Sequence, residues 1–182
     1  MVNRHVAALV AVVVAAGAAV SACSQTVDGT AARSVAPLTE PGRSYGYVDN
    51  RCGMLTDTAV RDTISAQDVA RPYSGAVCQY VLTRQSRTID ATFSWYATGS
   101  MDRERAVATA RGAEISDTVI ERHEAFLARR SVTGAGCSAT AAAGPGPDAG
   151  VLSWWVQLRG QQPGDPCVDA RKLLAATLSS EM

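Results

Sequence analysis

From Thr88 to Tyr96 the chain alternates without a break. Ile89, Ala91, Phe93 and Trp95 are apolar, and Thr88, Asp90, Thr92, Ser94 and Tyr96 stand between them. A period of two places the first set on one side of a strand and the second on the other, whereas a helix would scatter both sets around its circumference. The pattern returns from Val151 to Arg159, where Leu152, Trp154, Val156 and Leu158 alternate with Ser153, Trp155, Gln157 and Arg159. Two such strands demand a sheet closed on one side by a core. They also send Trp155 and Tyr96 to the opposite side, among Thr92, Ser94, Gln157 and Arg159.

The remaining segments supply the covering elements. Thr56 is placed to cap a short helix through about Ala66, with Ala59, Val60 and Ile64 on its apolar side. Cys78–Thr83 reads as a further strand, turning at Gln85-Ser86-Arg87. Ser100, Asp102 and Glu104 open a second helix whose apolar side is expected at Ala106, Val107, Ala110 and Ala113. Asp117–Arg122, Glu124–Arg130 and Cys137–Ala143 read as three more strands. The Gly/Pro-rich run 144–150 can only be a loop. Asp165-Pro166 pairs an N-cap residue with proline at the first helical position, and Cys167, Ala170, Leu174 and Leu178 follow at helical spacing. Hairpin-length connections and alternating strands predict one α+β domain, an antiparallel β-sheet packed against about three helices, over residues 51–182.

The N-terminal part has a different character. Arg4 is followed by an uncharged run from Val6 to Val20, shorter than the ~20 apolar residues needed to span a bilayer, which has the form of a secretory signal. It ends in Val20-Ser21-Ala22-Cys23, similar to the lipobox of bacterial lipoproteins. That likeness implies a signal peptide over 1–22, diacylglycerol on Cys23, and export to the outer face of the plasma membrane. Residues 23–50 then form a lipidated cysteine and a flexible tether, rich in Ser, Pro and Gly, with a reach on the order of 30 Å. Lipidation consumes one of 5 cysteines. Cys52, Cys78, Cys137 and Cys167 remain, and in an oxidising compartment an even set reads as a disulfide framework with three possible pairings. Sequence order favours Cys52 with Cys78 and Cys137 with Cys167, each bridge contributing roughly 3–4 kcal/mol. A structural metal is disfavoured, because no C-x-x-C spacing occurs and the chain after Cys23 contains a single histidine, His123.

Phe93-Ser94-Trp95-Tyr96, Gly99-Ser100, Arg103-Glu104-Arg105, Trp154-Trp155 and Pro166-Cys167 ahead of a Leu-rich helix resemble the mycobacterial LprB/LprC-type lipoproteins. Gly75-Ala76-Val77-Cys78 and Gly29-Thr30-Ala31 extend the likeness over most of the domain. The resemblance implies lipidation, the same two disulfides and an α+β fold, in an actinobacterial lipoprotein family of unknown function. The order of elements is also similar to that of the Mog1/PsbP-like fold, an analogy that carries no function.

Chemistry is sparse. The sequence has no phosphate-binding lysine loop, no H-E-x-x-H, and no S-x-x-K for Lys172 to serve. No catalytic residue, metal site or cofactor is assigned. His123, between two glutamates at a strand junction, reads as an exposed turn histidine rather than a general base. Asp165 and Asp169 read as counter-charges to a helix dipole. Arg103-Glu104-Arg105 reads as a solvated helix face, and Arg129-Arg130 as a weak contact for anionic headgroups. With 17 basic residues against 17 acidic ones, nucleic acid is not an expected partner.

Tyr96 and Trp155 are the candidate binding residues, because aromatic rings in polar surroundings are typical of binding surfaces. The leading expectation is a non-catalytic, membrane-anchored envelope lipoprotein that binds a protein partner or supports an envelope assembly. The alternative is a carrier or sensor of an apolar small molecule or lipid held near Trp95, Trp154 or Trp155. A hydrolase using His123 comes last, and requires a serine or acid within hydrogen-bond reach of the imidazole.

Overall fold

A computed structural model describes residues 45–180, apart from Val132, Pro145, Pro147 and Asp148. The signal, Cys23 and most of the tether lie outside the described residues. A small hairpin, β1 (Tyr47–Val48) and β2 (Arg51–Cys52), leads into helix α1 (Asp57–Thr63). Three strands follow, β3 (Asp68–Tyr73), β4 (Val77–Arg84) and β5 (Arg87–Tyr96), then helix α2 (Met101–Ala110). Strands β6 (Glu114–Ile120), β7 (His123–Ser131), β8 (Ala135–Ala142) and β9 (Val151–Leu158) precede the closing helix α3 (Pro166–Ser179). Strands β3 to β9 make one antiparallel sheet in the order β3-β4-β5-β9-β8-β7-β6. The α+β domain with two disulfides is therefore the observed fold.

The helices begin where their caps dictate. Thr56 Oγ1 accepts from the Ala59 amide at 3.1 Å, Ser100 Oγ from the Arg103 amide at 3.3 Å, and the Asp165 carboxylate from the Cys167 amide at 2.9 Å, with Pro166 at the first position of α3. Each bond satisfies an amide that the first turn leaves unpaired.

One face of the sheet is the core. Phe93 pairs with Trp154 and Trp154 with Ala139 across β5, β9 and β8, and Tyr80, Leu82, Ile89, Leu152, Val156 and Leu158 complete a sealed layer. The Trp154 ring lies 5.2 Å from that of Phe93 and 5.8 Å from that of Tyr80. Helix α3 closes this layer with Ala170, Leu173, Leu174 and Leu178. Even its polar side is engaged, since the Trp154 indole donates to Thr177 Oγ1 at 2.9 Å. Asp169, 4% exposed, accepts two bonds from the Arg84 guanidinium at 3.1 and 2.8 Å, so it anchors α3 to β4 in addition to opposing the dipole. Cys52 is bonded to Cys78 and Cys137 to Cys167, the pairing favoured by sequence order.

Several sequence expectations shift. Residues 45–50, read as the end of the tether, belong to the folded part: Tyr45 is 2% exposed, its ring lies 5.5 Å from that of Trp95, and its carbonyl accepts from the Gly53 amide. The second helix ends at Ala110, short of the expected Ala113, and strand β6 starts at Glu114, ahead of the expected Asp117. Between β6 and β7 the chain turns on Glu121 and Arg122 at φ 47° and 67°. His123 is therefore the first residue of β7 and not a turn residue.

Candidate functional site

The second face of the sheet is built from the residues left over by the core alternation. In one row across the strands, Ser94, Ser153, Thr140, Phe126 and Asp117 stand side by side. In the next, Thr92, Trp155, Ser138, Ala128 and Ile115 do the same. Its centre is thus a floor of five hydroxyl-bearing residues, flanked by Trp155 and Phe126. Helix α2 runs over this floor and buries none of its own residues. The expected inward Ala106 and Ala110 are exposed; Met101, Glu104, Arg105, Val107 and Ala108 are the half-buried positions.

Between helix and floor lies a groove of about 300 Å³, at the lower end of the ~300–1,000 Å³ of small-molecule sites. Tyr96 and Trp155, the two candidate binding residues, both line it, together with Glu104, Val107, Arg111 and Arg130. Tyr96 is 40% exposed and Trp155 half-buried, so neither ring is packed shut. Trp155 is held from two directions. The Arg130 guanidinium lies over the indole, 5.3 Å from its ring centre, a cation–π contact. Gly136 lets the same ring lie close to β8, since a Cβ there would come within 2.4 Å of Trp155 Cζ2. On the floor, the Thr140 and Ser153 hydroxyls bond each other at 3.0 Å.

The charged pairs noted in the sequence separate in space. Arg129 binds both oxygens of Asp165 at 2.9 and 3.1 Å, which ties β7 to the start of α3, whereas Arg130 points to the groove. Of Arg103-Glu104-Arg105, Glu104 joins the lining, and Arg105 stacks 4.8 Å from the Phe126 ring centre while pairing with Asp117 at 2.6 Å. The triplet is therefore only partly a solvated face. Arg159 turns away to Asp90, with contacts of 2.6 and 2.7 Å, and that carboxylate raises its pKa.

His123 is half-buried rather than exposed, and its Nδ1 lies 2.8 Å from the Ala142 carbonyl. Among the described residues, no serine hydroxyl or carboxylate is hydrogen-bonded to the imidazole. Nor do they contain a group of three or more His, Cys, Asp or Glu side chains able to hold a metal, or a helix long and apolar enough to cross a membrane.

A family model described as "Protein of unknown function (DUF3558)" matches residues 18–180. The chain belongs to that family. That description names no reaction. No curated protein and no solved structure matches the chain. For this DUF3558 domain, then, the groove geometry is the observation from which function has to be argued.

Proposed function

We propose that the protein is an exported, non-catalytic envelope lipoprotein of the LprB/LprC type, anchored through Cys23 at the outer face of the plasma membrane, and that it binds a small ligand between α2 and the sheet. One observation carries this reading: Trp155 opens into a groove of ligand size instead of being covered. A helix that only served stability would fully bury an apolar side, and no residue of α2 is more than half-buried. The Val20-Ser21-Ala22-Cys23 sequence supports the anchor.

The test is thermal stabilisation and tryptophan fluorescence of the purified chain against a panel of fatty acids, sugars, sugar phosphates and short peptides. A binder should raise the melting temperature of the wild type and perturb Trp155 emission, and should do neither in Ala108→Phe, which fills the groove. A panel without a binder, or one whose binders ignore Ala108→Phe, refutes the reading. Anchoring is checked separately, since Cys23→Ser should release the protein from the membrane fraction.

A protein partner is the second reading, and the free edge of β6 favours it. This seven-residue strand contains no proline, pairs with β7 without a register shift, and leaves Val119 63% exposed. An extended segment of a partner could add to it by backbone hydrogen bonds. Val119→Pro should abolish a crosslinked complex in membranes if that edge is used, and an unchanged crosslink removes the reading.

A further inference from the structure

If the groove is a ligand site, as proposed above, the chemistry of its lining narrows the class of ligand. We infer that the ligand is a small polyhydroxylated anion, a sugar ring or polyol carrying a phosphate or carboxylate. The floor is the first reason. Thr92, Ser94, Ser138, Thr140 and Ser153 present five hydroxyls on three adjacent strands, and only Thr140 and Ser153 satisfy each other. Among the described residues, no side-chain hydrogen bond occupies Thr92, Ser94 or Ser138, so these groups are free to meet a ligand that can both donate and accept. A purely apolar ligand would cover them without replacing their water, which is unfavourable.

The charges are the second reason. Two arginines, Arg111 and Arg130, line the groove against one carboxylate, Glu104, and neither arginine forms an ion pair with a described residue. The contrast is with Arg71, Arg84, Arg105, Arg129 and Arg159, each of which is held by an aspartate. An unpaired guanidinium fixed above a tryptophan is a fork of donors aimed at an anion, and its planar geometry suits phosphate or carboxylate. Glu104 accepts from a ligand hydroxyl on the opposite wall. The Trp155 indole N–H has no acceptor among the described residues, and adds a further donor. Donors therefore outnumber acceptors at the arginine end, and mixed hydroxyls cover the floor. A sugar phosphate has the matching arrangement, an acceptor-rich head on a ring of hydroxyls.

Such chemistry comes either from a soluble metabolite or from the headgroup of a polyol-phosphate lipid. Calorimetric titration of the detergent-solubilised full chain with glucose 6-phosphate, glucose, inorganic phosphate and short-chain phosphatidylinositol separates the terms. Glucose 6-phosphate should bind at least about tenfold more tightly than glucose or phosphate alone, and its affinity should fall with added salt. Arg130→Gln should weaken it by about tenfold or more, Arg130→Lys by less, and Arg111→Gln in the same direction, with the fold of each variant checked by its melting temperature. Tighter binding of the short-chain lipid than of the sugar phosphate identifies a lipid source, and the reverse a soluble one. Equal affinity for glucose and glucose 6-phosphate, or no change in Arg130→Gln and Arg111→Gln, overturns the anion assignment. If fatty acids or neutral sugars bind in an Ala108→Phe-sensitive way while the anions do not, the ligand class fails and the groove reading survives. If nothing binds in that way, both fail.

Discussion

Phe93, Trp154 and Ala139 sit in one row on the α3 side of the sheet and are sealed from water. One residue further along the same strands, on the other face, Ser94, Trp155 and Thr140 sit beneath α2, which is itself unburied. The two layers share strands, backbone and register, so the difference lies entirely in which residue types occupy odd and even positions. On the α3 side polar groups serve structure, as with Trp154 on Thr177 and Arg84 on Asp169. On the α2 side, hydroxyls and two arginines are left without such a task. Stability is concentrated in one layer, which leaves the other free to carry recognition.

The sharpest way to break this contrast is to truncate the adjacent tryptophans. Trp154→Ala removes a fully buried ring and should cost about 3–5 kcal/mol in chemical denaturation, whereas Trp155→Ala should cost about 1 kcal/mol and abolish ligand binding. Equal losses would mean that the groove face is a second core.

Alkaline pH gives the next effect. Burial, then the charge of Asp57, pushes the Tyr80 phenol from 10.0 up to about 12, against the opposing pull of Arg71. The unfolded chain gives up this proton near 10.0 while the native state keeps it, so stability is intact below that pH and falls as pH rises toward 12. The loss should approach about 3 kcal/mol. Tyr80→Phe should flatten the decline. It should be tolerated at neutral pH, because among the described residues the buried hydroxyl it removes has no hydrogen bond of good geometry, Arg71 lying near it without closing one.

The ion pairs of the two layers make the smallest comparison. Asp169→Asn disrupts a pair whose carboxylate is 6% exposed and should cost about 2 kcal/mol. Asp117→Asn breaks the Arg105 pair, in which the aspartate is 77% exposed, and should cost less than about 0.5 kcal/mol.

Much of the core face was legible because it depends only on local period. Strands β5 and β9 and helix α3 follow directly from alternation, helical spacing and the Asp165-Pro166 start. Strand β3 was not legible, since Arg71-Pro72 interrupts any apolar pattern. It is tolerated because β3 is an edge strand, with its register shifted between Ala70 and Tyr73. The β6–β7 turn was expected at His123 and falls one to two residues earlier, because Glu121-Arg122 adopts positive φ without the Asn-Gly that usually announces such a turn. Tyr45 carried no signal of its own burial, which depends on Trp95.

The candidate site divides in the same way. Alternation alone directed Tyr96 and Trp155 to the second face. Arg130, Glu104, Phe126 and Ser138 reach them only through the β5-β9-β8-β7 order and the passage of α2 over it. Strand order is non-local information that one sequence does not print. The polarity of Thr92, Ser94, Ser138 and Ser153 was visible all along, and was the one available hint that the second helix would sit on a wet surface.

The cysteine pairing has a consequence for how the molecule is made. Each bridge joins a cysteine to the next one along the chain, at separations of 26 and 30 residues, and neither loop encloses or crosses the other. With export and with Cys23 consumed by lipid, as proposed above, the four remaining cysteines reach the native connectivity when each newly arrived thiol joins the one still waiting. In that order Cys78 would meet Cys52 before Cys137 emerged, and correct oxidation would follow from the order of arrival without shuffling of bonds.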